Sequence, residues 1–255
     1  MLPVEVPTAA ALAAIVAVAL ATEAVTGFGA TIIAMTIASW FLPIAQLLPA
    51  YVPVNMLMSA WFVLRDPAGV DRRWLFGRIL PAAAVGFPLG ALGFRLLGQR
   101  TGALEAAFGA FVVVVALHRL AVGLGVLRAR QTGHGAAASI ALLVTGGVVH
   151  GLVGTGGPLV VLALSNQGLD KRAFRQTLSA VWLGLSVLLL SSFAAQGALG
   201  RESLALGLVM LPGLPVGLLV GQAIHHRLDA DRFRRAVDGL LVVAGAILVV
   251  RTLWR

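Results

Sequence analysis

The chain has 255 residues, of which 59% are hydrophobic and only 11% are charged. A soluble domain carries about 25% charged residues, because its surface must face water. This composition excludes an ordinary soluble enzyme, a nucleic-acid-binding domain and a disordered chain, and it indicates a membrane protein with several crossings. The sequence contains no cysteine, which excludes disulfides, thiolate metal sites and cysteine nucleophiles. No Lys or Arg precedes the first apolar run, so we expect no cleaved signal there.

Polar interruptions divide the chain into eight apolar segments, most of them about long enough to cross a bilayer. The segments are rich in Ala, Leu and Gly and show no alternating pattern, so they predict a bundle of α-helices. Their approximate bounds are 8–42, 46–64, 75–97, 102–125, 137–164, 173–195, 203–225 and 234–251.

Glycine clusters interrupt the first and fifth segments. The first segment is too long for one crossing and contains Gly27 and Gly29 near its middle. The fifth segment contains the run Gly154-Thr155-Gly156-Gly157-Pro158. Because glycine and proline disfavour a straight helix here, each segment predicts two half-helices that meet at a loop, with Pro158 at the first position of the later one.

Two motifs recur in the same order along the chain. Thr26-Gly27-Phe28-Gly29 aligns with Val153-Gly154-Thr155-Gly156 at an offset of 127. The pattern P-x4-G-x3-G begins at Pro81 and again at Pro212, an offset of 131, and its glycine spacing lets helices approach closely in lipid. The repetition predicts an internal duplication, with halves 1–127 and 140–255 joined by a linker at 128–139.

The basic residues favour one topology. If all eight segments cross, ten basic residues lie on one side and nine on the other. If segments one and five fold back as re-entrant hairpins, the split becomes fourteen against five, as the positive-inside rule expects. We therefore predict an all-α protein of the plasma (inner) membrane, built from two inverted repeats of about four segments each. Both termini would be extracytoplasmic.

Inverted halves with broken helices near the midplane form a recurring transporter architecture. A helix that begins inside the membrane presents unpaired N–H groups and a partial positive charge, and glycine lets a ligand approach the backbone. We therefore predict that two glycine tips bind an anion, the alternative being that the glycines only permit close helix packing. The predicted substrate-binding residues of the tips are Gly27, Phe28, Gly29, Thr31, Gly154, Thr155, Gly156, Gly157 and Pro158.

Three further polar residues lie within apolar segments. Glu23 and His150 occupy equivalent positions, 127 residues apart and each four residues before a tip glycine. An ionisable group at membrane depth is costly and is a functional candidate, so both are proton-coupling candidates. The alternative is a Glu23–His150 hydrogen bond that only fixes the hairpins. Asn55 is expected to line the same site or else to bridge helices.

Several stretches of this sequence are similar to the TauE/SafE family of sulfite and sulfonate exporters. The first half contains VTGFGATIIAMTIASWFLP, and the second contains GLVGTGGPLVVLAL, KRAFRQTLSAVW and LPGLPVGLLVGQAIHHRLDADRFRRAVDGLL. The sequence departs from the family at Ala30-Thr31, where members often continue a glycine run. The resemblance covers nearly the whole chain and implies transport, usually outward, of small sulfur-containing anions.

The stretch Arg175-Gln-Thr177-Leu-Ser179 resembles a characteristic Arg-x-Thr-Ser feature of this family. The forked donors of Arg175 suit a sulfonate, and Thr177 and Ser179 add hydroxyl groups one turn deeper. The alternative is that Arg175 is simply a basic residue at a segment end.

The sequence thus predicts a secondary transporter that works by alternating access. The family resemblance implies that it exports sulfite or organosulfonates. No Walker motif, metal-ligand pattern or catalytic residue is found, so no cofactor, metal or enzymatic activity is expected. The expected partners are a small anion and the lipid bilayer, without nucleic acid, and a homodimer is left open. Three other interpretations are considered. The protein could transport another anion, such as a carboxylate, in the inward direction. It could also be a membrane enzyme or a membrane scaffold.

Overall fold

The computed structural model describes residues 4–99, 102–123, 125–126, 135–164, 168–225 and 250, and these residues form helices and no strand. The prediction of an all-α fold is confirmed. Predicted segment 234–251, apart from Val250, and most of the linker 128–139 lie outside the described residues. The helices are α1 (Val6–Thr26), α2 (Ala30–Ala38), α3 (Ile44–Arg65), the 3-10 turn η1 (Pro67–Gly69), α4 (Arg72–Trp74), the π-helical turn η2 (Leu75–Ile79), α5 (Leu80–Gly98), α6 (Ala103–Gly123), α7 (Ala136–Val153), α8 (Gly157–Leu164), α9 (Lys171–Ala195), α10 (Arg201–Met210) and α11 (Gly213–His225).

Much of the described chain is long and apolar enough to cross a bilayer. Six such stretches lie within the described residues; four of them agree closely with predicted segments, two cover only the first parts of segments 8–42 and 137–164, and predicted segment 102–125 is not among the six. They are Val6–Thr26, Ile44–Arg65, Arg72–Gly98, Ala136–Val153, Arg172–Ala195 and Arg201–Ala223.

The two glycine clusters break the helices where the sequence predicts. Gly27 ends α1 and Gly154 ends α7, with φ angles of 84° and 70° in the left-handed region that favours glycine. The helices after the breaks have only 9 and 8 residues, and those before them have 21 and 18. Their apolar runs continue without a breaker up to the glycine, so each broken segment consists of a long helix and a short one. Pro158 is the second residue of α8 rather than its first.

Each short helix packs back against the long helix before it. A Cβ placed on Gly146 of α7 would lie 3.3 Å from Cγ2 of Val160 in α8. The chain therefore reverses direction at the second tip, so α8 lies beside α7 instead of extending it. Helices α1 and α2 also pack against each other.

Glycines allow two helix pairs to approach closely. In α5, a Cβ on Gly86 or Gly90 would clash with the backbone of α7. In α11, a Cβ on Gly217 or Gly221 would lie 2.7 Å from a carbonyl oxygen of α1. Both copies of P-x4-G-x3-G therefore form helix contacts, as their spacing predicts.

The contacts between the predicted halves are reciprocal. Helix α5 of the first half packs against α7 of the second, and α11 of the second half packs against α1 of the first. Helices α3 and α9, which are equivalent in the proposed duplication, pack against each other. A two-fold relation between the halves produces this pattern, and the inverted repeat stays a prediction.

A short loop between α3 and α4 is attached to the start of α9. We call residues 66–71 the docked loop. The Asp66 carboxylate forms an ion pair with Arg172 at 2.6 Å, and the Asp71 backbone N–H donates to the Thr177 hydroxyl at 2.9 Å. These contacts place the end of α3 and the start of α9 on the same side of the protein. If all eight segments crossed the bilayer, these two ends would lie on opposite sides of it. If segments one and five are re-entrant hairpins, the two ends lie on the same side.

We expect Gly90→Ala to destabilise the protein by about 1–3 kcal/mol, because the added methyl group clashes with the backbone of α7. The control is Gly77→Ala, since a Cβ on the exposed Gly77 meets no atom within 4 Å. Thermal unfolding in detergent measures the difference. Equal melting temperatures for the two variants would contradict the close approach of α5 and α7.

Candidate functional site

A cavity lies where the two tips meet. The volume in which the centre of a water molecule fits is about 20 Å³. That space suits roughly one or two water molecules, so an anion the size of sulfite requires side chains to move. The lining residues are Glu23, Gly29, Thr31, Val52, Asn55, His150, Gly154, Thr155, Gly157, Trp182, Ser186 and Leu189.

Glu23 connects the first tip to α3. Its Oε2 accepts hydrogen bonds from Nδ2 of Asn55 at 3.2 Å and from the backbone N–H of Ala30 at 3.3 Å. The same Nδ2 donates to the hydroxyl oxygen of Tyr51 at 3.3 Å. Because Ala30 is the first residue of α2, the Glu23 carboxylate accepts from the N-terminus of the short helix. We call Glu23, Tyr51 and Asn55 the Glu23 cluster.

His150 has the corresponding position at the second tip. Its Nδ1 accepts a hydrogen bond from the backbone N–H of Gly156 at 3.4 Å, and its ring lies nearly parallel to that of Trp182, with centroids 6.3 Å apart. The indole N–H of Trp182 donates to the carbonyl oxygen of Gly27 at 2.9 Å. Trp182 therefore contacts both tips. His150, Trp182 and Ser186 form the His150 cluster.

The two clusters share a spacing that the sequence interpretation missed. Tyr51 and Trp182 are 131 residues apart, as are Asn55 and Ser186. In each half an aromatic residue thus precedes a polar residue by four positions, one helical turn. This spacing repeats at an offset of 131 residues, the same offset as that of the P-x4-G-x3-G motif, so it could have been found in the sequence. However, a single aromatic residue or serine in an apolar run is usually part of helix packing.

Most of the predicted site residues come together. Gly157 of the second tip packs against Phe28 of the first, since a Cβ at Gly157 would lie 3.4 Å from Cδ2 of Phe28. The predicted residues that line the cavity are Glu23, Gly29, Thr31, Asn55, His150, Gly154, Thr155 and Gly157. The others in the tips, outside the lining, are Gly27, Phe28, Gly156 and Pro158. Within the described structure no hydrogen bond joins Glu23 to His150, and each side chain bonds instead to the N–H of its own tip.

Arg175, Thr177 and Ser179 lie outside the cavity lining. Thr177 accepts from the docked loop, and Ser179 donates to the carbonyl oxygen of Arg175 at 3.1 Å. The Arg175 guanidinium lies over the ring of Phe62, with Cζ 5.3 Å from the ring centroid, and its buried Nε has no hydrogen-bond partner among the described residues. Seven residues, or about 10 Å of helix, separate Arg175 from Trp182. Contact of these three residues with substrate stays a prediction.

The docked loop covers the side of α9 next to Arg175. A Cβ on Gly69 would lie 2.8 Å from Cγ of Gln176, which is buried beneath the loop. The hydrogen bonds from Arg172 hold the pKa of Asp66 below its ordinary value of 3.8. The ion pair is therefore fully present above that ordinary value and is lost as the pH falls through the lowered pKa of the folded protein.

The apolar helices, the two helix breaks and the cavity between them define a helical membrane protein with an internal polar site. The family model described as sulfite exporter TauE/SafE matches residues 11–248, so the chain belongs to that family. The resemblance stated from the sequence is thereby confirmed. Searches of curated proteins and of solved structures gave no significant match.

We expect Asp66→Asn to loosen the docked loop, because the variant removes the negative charge that pairs with Arg172. The measurement is the rate of thiol labelling at Gln176→Cys in this cysteine-free chain. An exposed ion pair contributes little, so labelling should rise by only about two- to five-fold. The control, Glu202→Gln, removes an exposed carboxylate from α10 and should leave the rate unchanged. Equal rates in all three backgrounds would show that the ion pair does not hold the loop.

Proposed function

We propose that this protein is a secondary transporter that exports small sulfur-containing anions, such as sulfite or organosulfonates, from the cell. The observation that carries the proposal is the cavity lined by residues of both tips, α3 and α9. Two short helices begin at this cavity, and helix N-termini attract negative charge. Membership of the sulfite exporter family supports the class of substrate.

The mechanism we propose is alternating access around this cavity. The cavity is too narrow for sulfite in the described geometry, so binding and release need helices to move apart. The docked loop lies at one end of α9. It is attached there by the ion pair between Asp66 and Arg172 and by the hydrogen bond from the Asp71 backbone N–H to the Thr177 hydroxyl. Its release would uncover the path along Arg175 and Gln176 toward Trp182. In this proposal, Arg175 attracts the anion at that end, and Thr177 and Ser179 become available when the loop leaves.

The re-entrant topology is part of the proposal. The ion pair between Asp66 and Arg172 supports it, because one contact cannot join loops on opposite sides of a bilayer. The predicted excess of basic residues then places the docked loop in the cytoplasm and both termini outside. Glu23 and His150 are the groups in the cavity that can couple transport to protons.

We expect Ser186→Leu to reduce anion flux at least tenfold, since the larger side chain fills a cavity with room for about one or two waters. The matched control is Ser191→Leu on the same helix, where the exposed side chain only bonds to its own backbone. The measurement is flux of labelled sulfite, methanesulfonate and formate in proteoliposomes. Normal sulfite flux in Ser186→Leu would contradict the assigned cavity. Flux of formate alone would identify a carboxylate transporter instead.

We expect single cysteines at Ala68 and Gly168 to be labelled from the cytoplasmic side, and those at Glu5 and Ala198 from the opposite side. The reason is that re-entrant tips return the chain to the side from which it came. Membrane-impermeant thiol reagents applied to intact cells and to inverted vesicles measure the sidedness. Labelling of Ala68→Cys and Gly168→Cys from opposite sides would contradict the proposed topology.

A further inference from the structure

The cavity combines a hydrogen-bond donor without a partner and a carboxylate. His150 and Glu23 both line it, and each is more than nine-tenths buried, with 4% and 7% of the residue exposed. Although their positions are equivalent in the two halves, one side chain is a base with two ring nitrogens and the other is an acid. The two groups therefore cannot perform the same task in transport.

His150 is arranged as a donor toward the cavity. Its Nδ1 already accepts a hydrogen bond from the N–H of Gly156, so the proton of the neutral ring belongs on Nε2. Nε2 is buried and has no hydrogen-bond partner within the described structure. The nearly parallel ring of Trp182 fixes the plane of the imidazole. A buried donor without a partner loses the free energy of its missing hydrogen bond, and an anion in the cavity restores it.

Glu23 also lines the cavity, but an ionised carboxylate there would repel an anion rather than bind it. Two N–H donors, from Asn55 and Ala30, already bond to its Oε2. An ionised carboxylate repels an anion strongly in a cavity with little water. A protonated carboxyl group carries no charge and can itself donate to an anion. The anion is therefore compatible with Glu23 only when that side chain holds a proton.

Among the described residues, no Lys or Arg lines the cavity. The other ionisable groups that face this region are Tyr51 from α3 and His150 from α7. Arg175 of α9 packs its Cγ 3.8 Å from the Cβ position of Gly27, but it lies outside the lining. Helix α2 has no ionisable residue, and α11 has none between Gly213 and Ala223. In α10, Arg201 and Glu202 are exposed at the start of the helix.

We propose that an anion and a proton occupy the cavity together, the anion on the Nε2–H of His150 and the proton on Glu23. This inference rests on the proposed transport function and names its coupling ion. The proton passes from water to a carboxylate oxygen as the anion binds, and both leave on the same side. A monovalent sulfonate then moves without net charge, whereas the sulfite dianion moves with one negative charge. Export of a monovalent sulfonate is then driven by its own concentration gradient against that of the proton, whereas an inside-negative membrane potential also favours export of the sulfite dianion.

The test uses methanesulfonate, which stays ionised throughout the pH range of interest. Proteoliposomes with a pH-sensitive dye in the lumen report proton movement while labelled methanesulfonate enters. We expect one proton to enter with each anion. Affinity should weaken as the pH rises, by up to tenfold per pH unit, because binding takes up a proton. In Glu23→Gln the affinity should no longer depend on pH and proton entry should stop, whereas Glu202→Gln should behave as the parent protein does.

Two histidine variants test the other half of the proposal. The side-chain oxygen of His150→Asn can replace Nδ1 as the acceptor for Gly156, but the Nε2 donor is lost. The amide nitrogen of His150→Gln can instead take the place of that donor. We expect at least tenfold weaker methanesulfonate binding in His150→Asn than in His150→Gln, with the pH dependence retained in both variants.

The outcomes separate this inference from the proposed function. If the parent protein moves none of sulfite, methanesulfonate and formate, the proposed transport function is wrong. If methanesulfonate enters without protons, and Glu23→Gln binds it with the same pH dependence as the parent, transport stands and co-binding is wrong. Equal methanesulfonate affinity in His150→Asn and His150→Gln would show that His150 does not donate a hydrogen bond to the anion.

Discussion

The reversal of the chain at Gly27 and Gly154 is the constraint on which the site depends. Each glycine adopts a left-handed conformation that ends a long apolar helix, and within three residues a short helix starts back along it. A helix that starts inside the protein leaves N–H groups in need of acceptors. Glu23 and His150 supply acceptors from one turn before each glycine. The reversal therefore brings a backbone dipole and an ionisable side chain to the same place.

The two halves use one backbone arrangement for different chemistry. Tyr51 and Asn55 support Glu23; of the residues 131 positions later, Trp182 lies beside His150 and Ser186 lines the same cavity. A duplicated chain with identical residues would place two acids or two bases in one cavity, where like charges repel. An acid facing a neutral imidazole avoids that repulsion. The proposed binding of an anion together with a proton depends on this difference between the two tips.

The sequence predicts the helices and tips well because their signals are local. The apolar run between Pro43 and Asp66 gives the limits of helix 44–65 within a few residues, and the glycine clusters at Gly27 and Gly154 give the breaks. The cavity lining is harder to predict, since it depends on which face of a helix meets the tips. Thr177 and Ser179 carry hydroxyl groups suited to an anion, yet they bond to Asp71 and to the backbone of Arg175. Asp66 and Arg172 are 106 residues apart, and only the fold brings them together.

The interlocking of the halves limits how the cavity can open. Helix α5 packs on α7 and α11 on α1, and at both interfaces glycines bring the backbones into direct contact. Since each interface joins one half to the other, separating the halves would break both of these close glycine contacts. A movement that keeps both interfaces intact would separate a unit of α1, α2 and α11 from a unit of α5, α7 and α8. Trp182 joins these units through Gly27 and His150, so its hydrogen bond and ring contact must change when the cavity opens.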